Sequence, residues 1–174
     1  PEKILDLDLT GPGRNGGGAL DTPLVLVCTH AKRDTCCAVK GRPLAAELVE
    51  DYPDMVWETS HTKGHRFAPS VMLMPWGYSF GRMNKEAAAQ MIAAAARGKY
   101  FYPVNRGRGI FGPRGQVAEL AVARALIDAG EELSYGQLTA TDSGEVSHID
   151  GRRWRVTLEE REVEGVVSSC GDAP

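Results

Sequence analysis

An α/β fold is what the sequence predicts, and three observations predict it. Pro23 precedes Leu24-Val25-Leu26-Val27, a continuous aliphatic and β-branched run of the kind a sheet buries on both faces. After Pro43, Leu44, Ala45, Leu48 and Val49 recur at helical spacing until Pro53 closes the segment. Further on, Ala87, Ala88, Met91, Ile92, Ala95 and Ala96 form one apolar stripe, which Asn84 can cap at its start and Gly98 can stop.

Taken in order, the segment Lys3 to Leu9 mixes Ile4 and Leu5 with Asp6 and Asp8 and reads as a short strand, followed by a solvated loop rich in glycine from Gly11 to Gly18. The run ending at Val27 is a strand that delivers Cys28 at its C-terminal end. Pro43 opens a short helix. Met55 to Thr59 and Val71 to Met74 read as the next strands, and Pro75-Trp76-Gly77 turns the chain into another from Tyr78 to Met83. The order is strand, helix, strand, connection, strand, strand, helix, with the last two strands joined tightly enough to be antiparallel. That is the order of a thioredoxin-like core, β-α-β-[connection]-β-β-α, and a cis peptide is expected before Pro69. Beyond it lie an Arg and Gly rich loop from Arg106 to Gly115 and an additional helix, Gln116 to Ala129, whose expected apolar face is Val117, Leu120 and Ile127 and whose stop is Gly130. Asp150-Gly151 signals a C-terminal β-hairpin between Glu145 to Ile149 and Arg152 to Leu158, where Trp154, Val156 and Leu158 alternate.

The chain of 174 residues is long enough for one compact domain with a sizeable core. Its 20 Lys and Arg against 23 Asp and Glu leave a weakly acidic balance, so neither nucleic acid nor an anionic membrane is an expected partner. The most apolar stretch, Ala87 to Ala96, is interrupted by Gln90 and reaches about half of the roughly 20 residues that span a bilayer. No signal peptide is visible, and a cytoplasmic location is the expectation. The chain opens at Pro1 without an initiator Met, so a trimmed or longer parent protein is expected. Four cysteines, two of them adjacent at Cys36 and Cys37, make a poor disulfide framework and point instead to metal binding or redox chemistry.

Two pairs of ligand-type residues each follow a predicted strand: Cys28 and Cys37 with eight residues between them, and His61 and His65 with three. Adjacent parallel strands end on the same side of a sheet, so these two loops converge and set two thiols opposite two imidazoles. Mixed sulfur and nitrogen ligation suits zinc, or a cluster with two sulfur ligands on one iron and two nitrogen ligands on the other. Spacing alone does not separate the two metals.

The stretches CTHAKRDTCCAVKGRPLA, from Cys28 to Ala45, and HTKGHRFAPSVMLMPWGYSFGRM, from His61 to Met83, resemble the sucrase/ferredoxin-like family, whose members include thioredoxin-like ferredoxin domains. The resemblance covers about the first hundred residues and implies one [2Fe-2S] cluster held by Cys28, Cys37, His61 and His65. It therefore implies an electron carrier of ferredoxin type rather than a catalyst, with redox partner proteins of unknown identity. The chain then divides into an N-terminal strand and Gly-rich loop (1–20), a cluster-binding core (21–100) and an extension of loop, helix and hairpin (101–174). Nothing supports the sugar hydrolysis in the family's name, which would need two carboxylates placed about a glycosidic bond.

Histidine ligation carries its own expectation. An imidazole bound to iron through one nitrogen keeps a proton on the other, held more tightly when the iron is reduced, so electron gain is coupled to proton gain. The runner-up is a structural zinc module using the same Cys2His2 set, and a thiol-disulfide enzyme ranks last because a Cys-x-x-Cys motif is missing. Cys36 reads as a small half-buried residue or spare thiol, Cys170 as a non-functional thiol, His30 as a neighbour of the site and His148 as an exposed strand residue. Lys32, Arg33, Lys63 and Arg66 surround the site with positive charge, while Arg106, Arg108 and Arg114 read as an exposed basic loop.

Overall fold

The computed structural model describes residues 6–8, 13–18, 20–32, 35–62 and 65–166. Most of the expected strand from Lys3 to Leu9 lies outside these residues, and Asp6, Leu7 and Asp8 form no strand. The first element is β1 (Leu24–Cys28), and α1 (Thr35–Asp51) carries the chain over to β2 (Val56–Thr59), which pairs parallel to β1 with Val27 opposite Glu58. A parallel pair needs such a crossover, and a helix supplies it. Among its described residues, the connection to β3 (Ser70–Met74) contains a 3-10 turn, His65–Phe67. Strand β3 runs antiparallel to β1, and a tight turn with Gly77 at φ 74° leads into antiparallel β4 (Tyr78–Gly81). Helix α2 (Lys85–Ala96) follows, with the Asn84 side chain accepting from the Ala87 N–H at 2.9 Å.

The resulting order β2-β1-β3-β4, with β3 the reversed strand, makes the core thioredoxin-like. The peptide between Ala68 and Pro69 is cis, as is that between Met74 and Pro75. One expected loop proves to be partly strand: Asn105–Arg108 forms β5 on the free edge of β4. Helix α3 (Pro113–Asp128) then leads to a second sheet of β6 (Leu138–Ala140), β7 (Glu145–His148) and β8 (Arg153–Arg155). The expected hairpin is thus two strands of three, with Gly151 in the left-handed region at its turn.

Burial departs from the sequence reading in two places. Along β1 and β3, Val25, Val27, Val71 and Leu73 are buried against Leu44 and Leu48 of α1 and Met91 and Ile92 of α2. Alternate residues Leu24, Leu26, Met72 and Met74 stay half-buried, and Trp57 in register with Leu26 is 59 % exposed. The sheet is therefore packed fully on one face, not on both. On α3 the buried face is Gly115, Ala118, Glu119, Val122, Ala123 and Leu126, whereas Val117 is exposed. Its rotation is set by small residues that let the helix approach both sheets, and it carries a carboxylate inward.

Candidate metal centre

Cys28 ends β1, and Cys37 lies in the first turns of α1. The helix begins eight residues before Pro43 and includes that proline, so Cys37 is a helix residue rather than the loop residue expected from Pro43 as a start signal. At a helix N-terminus the exposed N–H groups favour negative charge, which suits a thiolate. Gly41, one turn later on the same face, is what brings the sulfurs together. A Cβ there would stand 2.2 Å from the Cys28 carbonyl oxygen, so only glycine lets α1 press against the end of β1.

Neither of the two cysteines is in a disulfide, both are almost wholly buried, and they form a small cluster with Ala68 on which Cys36 packs. Burial raises the Cys28 pKa, yet donors overcome it: the backbone N–H groups of His30 and Thr62 and the side chains of Cys37 and Thr62 hold the thiol below its ordinary range. Thr62 follows His61, so the loop after β2 reaches the sulfur at the end of β1. The Thr29 N–H donates to the Thr59 carbonyl at 3.2 Å, and the rings of His30 and His61 lie 5.7 Å apart. The two loops after the parallel strands do converge. A model of the sucrase/ferredoxin-like family matches residues 14–107, the span that holds both pairs.

The chain belongs to the sucrase/ferredoxin-like family. Among solved structures, a thioredoxin-like [2Fe-2S] ferredoxin from Aquifex aeolicus is 15 % identical, covering 52 % of this chain and 94 % of its own at a TM-score of 0.42. A cysteine-to-serine variant of that ferredoxin is 17 % identical over 44 % of this chain and 88 % of its own, at a TM-score of 0.38. The wild type at 1.5 Å is 16 % identical over 45 % and 89 %, at 0.36. No curated protein matches the chain.

Within this family member the site residues are gathered unevenly. The sulfurs of Cys28 and Cys37 meet; His61 is half-buried beside His30; His65 opens the 3-10 turn next to α1, and its side chain lies outside what is described. Among the described residues no three His, Cys, Asp or Glu side chains are gathered as a metal-binding group. The donor set nevertheless fits an iron-sulfur cluster: two buried cysteines outside any disulfide, one with its pKa lowered by donors, with a histidine loop alongside. Cys36 is disulfide-bonded rather than a spare thiol, and Cys170 lies outside the described residues, as do Arg33 and Lys63. His148 is not an exposed strand residue: its side chain is 10 % exposed and meets Asp150 at 2.8 Å across the hairpin turn.

Sequence reasoning missed Thr62 as a donor to sulfur and Gly41 as the spacer, although a glycine inside a helix four residues after a ligand candidate was a usable signal. It also missed a second buried polar centre. Glu119 accepts from the Tyr78 hydroxyl, while its Oε2 and the Tyr100 hydroxyl have no hydrogen-bond partner. Burial, only partly offset by the Tyr78 bond and the charge of Arg108, raises the Glu119 pKa to about 7. Tyr78, Tyr100 and Tyr135 pack ring to ring around it, and Trp76 stacks on Tyr135 at 4.7 Å.

Proposed function

We propose that this chain is an electron-transfer protein of ferredoxin type in which Cys28, Cys37, His61 and His65 hold one [2Fe-2S] cluster. The observation that carries the reading is the meeting of two buried cysteines, neither in a disulfide, where β1 ends and α1 begins, beside a loop that also carries His61. When bound, the cluster supplies reversible one-electron chemistry. The chain's own part is to bury the sulfurs, to donate to Cys28 from His30 and Thr62, and to keep a proton on the outer nitrogen of each ligating imidazole. Donors to sulfur favour the reduced, more negative state. Imidazole in place of thiolate removes negative charge, so the potential belongs above the roughly −400 mV of all-Cys plant-type centres and toward the range of about −150 to +300 mV. No helix among the described residues is long and apolar enough to cross a membrane. The reading includes a cytoplasmic location and redox proteins as partners.

Anaerobic purification followed by absorption spectroscopy, with iron and acid-labile sulfide analysis, tests the reading. The expected result is a coloured protein with about two iron and two sulfide per chain. A colourless protein carrying zinc and no sulfide would establish the structural Cys2His2 alternative instead. Voltammetry across mildly acidic to alkaline pH then tests the histidines: the potential should fall as pH rises, and His61→Cys or His65→Cys should lower it and flatten the dependence.

A further inference from the structure

Three arginines from three segments meet on one aromatic ring beside the sulfur site. The guanidinium of Arg106 on β5 lies 4.2 Å from the Phe67 ring centroid, that of Arg66 4.7 Å and that of Arg82 5.8 Å. Gly81 makes the approach possible, because a Cβ there would stand 2.7 Å from Phe67 Cβ and 3.0 Å from Arg106 Cδ. Arg82 adopts φ 56°, a left-handed conformation uncommon outside glycine, and its N–H donates to the Phe67 carbonyl at 2.6 Å. Such strain persists only where the surroundings over-determine it, and it clusters at functional sites.

None of the three arginines is ion-paired with a described carboxylate, although Arg114, Arg124, Arg152, Arg155 and Arg161 each are. Burial, then the charge of Arg66, lowers the Arg106 pKa, as expected of like charges held together without an anion. Contact with the Phe67 ring satisfies none of the guanidinium N–H donors, which stay available to acceptors. Arg66, Phe67 and Arg82 form one wall of an open cavity of about 730 Å³, and the C-terminal segment from Arg161 to Val166 lines the rest. The next residue, Ala68, packs on Cys28 and Cys37.

We propose that Arg66, Arg82 and Arg106 form the docking surface for an acidic redox protein, whose surface carboxylates they bind edge-on. The surface deepens the electron-carrier reading and rests on it for the partner's class. The three free cations argue for carboxylates, the breadth and openness of the cavity for a protein surface rather than a single small anion, and the position next to Ala68 for electron exchange. Docking here brings a partner's cofactor toward the sulfur site.

The test titrates a fluorescein-labelled octaglutamate peptide into the cofactor-loaded chain at low ionic strength and follows anisotropy. Binding should weaken with added salt, and each of Arg66→Gln, Arg82→Asn and Arg106→Gln should weaken it about fivefold, the upper reach of one exposed ion pair. Asparagine tolerates the left-handed backbone at position 82, so that variant keeps the fold. Arg114→Gln, which removes the same charge from an arginine already paired with Glu160, should leave binding unchanged. Equal binding by Arg82→Asn and Arg106→Gln, an equal loss in Arg114→Gln, or full displacement of the peptide by millimolar inorganic phosphate would overturn the proposal. On the same samples, oxidation of the reduced protein by anionic ferricyanide should slow in the three variants. A colourless protein that still binds the peptide through these arginines would sink the electron-carrier reading and leave the acidic docking surface standing.

Discussion

Two buried polar centres among the described residues, Cys28 with Cys37 and Glu119 with its tyrosines, are both withdrawn from water, and their ionisation is shifted in opposite directions. At Cys28, burial is outweighed by donors from His30, Thr62 and Cys37, and the pKa is lowered from the ordinary thiol value. At Glu119, the Tyr78 hydroxyl and the charge and backbone N–H of Arg108 do not outweigh burial, Oε2 has no hydrogen-bond partner among the described residues, and the neutral form gains. The direction follows from the balance between the depth of burial and the donors aimed at the group. A centre that stabilises negative charge suits metal ligation. A centre that resists it makes stability depend on pH.

The largest expected effect falls on the sulfur centre. Cys28→Ser or Cys37→Ser should remove nearly all iron and visible absorbance, whereas Cys36→Ser should retain them, and iron analysis on matched preparations checks this. Retention of iron by Cys37→Ser with loss by Cys36→Ser would show that Cys36 is the ligand in place of Cys37.

Next in size is the pH dependence at Glu119. Its pKa rises from 4.5 to about 7 on folding, so its contribution is fully present below pH 4.5 and is lost as pH rises through 7. A shift of that size amounts to about 3 kcal/mol across the window. Glu119→Gln should remove this component, and urea unfolding of both proteins at pH 5 and pH 8 reads the difference. An unchanged pH slope in the variant would show that Glu119 ionises as freely in the folded chain as in the unfolded one.

Gly41→Ala should cost about 1–3 kcal/mol, because the new methyl drives α1 from the Cys28 carbonyl. Its iron content should fall as well, since the same approach sets the distance between the sulfurs. A variant with native stability and full iron would show that α1 has room to move. Smallest is Tyr100→Phe, which deletes a buried hydroxyl without a partner and should change stability by less than about 1 kcal/mol, in either direction. A loss well beyond that in thermal unfolding would reveal a hydrogen bond through buried water.

Much of this was legible in the chain itself. The run at Leu24 to Val27, the Asn84 cap and the Asp150-Gly151 turn are local signals, and each element appears where its own residues place it. The cysteine and histidine spacing pointed to two loops at one sheet edge, and the loops after β1 and β2 do meet there. The start of α1 was misread because Pro43, a good first-turn residue, sits well inside the helix. The buried face of α3 was misread at Val117, which outranks Gly115 and Ala118 in hydrophobicity, though small residues are what close approach requires, while Ile127 does pack against the core.

What the sequence determined by itself, then, was the order of elements and the residue types offered to the site, since both follow from periodicity, caps and spacing within a few turns of chain. Tertiary structure alone decided which partners those residues meet. Tyr78 reaches Glu119 across 41 positions, Arg106 reaches Phe67 from another strand, and Gly41 matters only because the end of β1 stands against it. Contacts of that kind depend on how close two distant backbones come, a distance that no local pattern of side chains encodes.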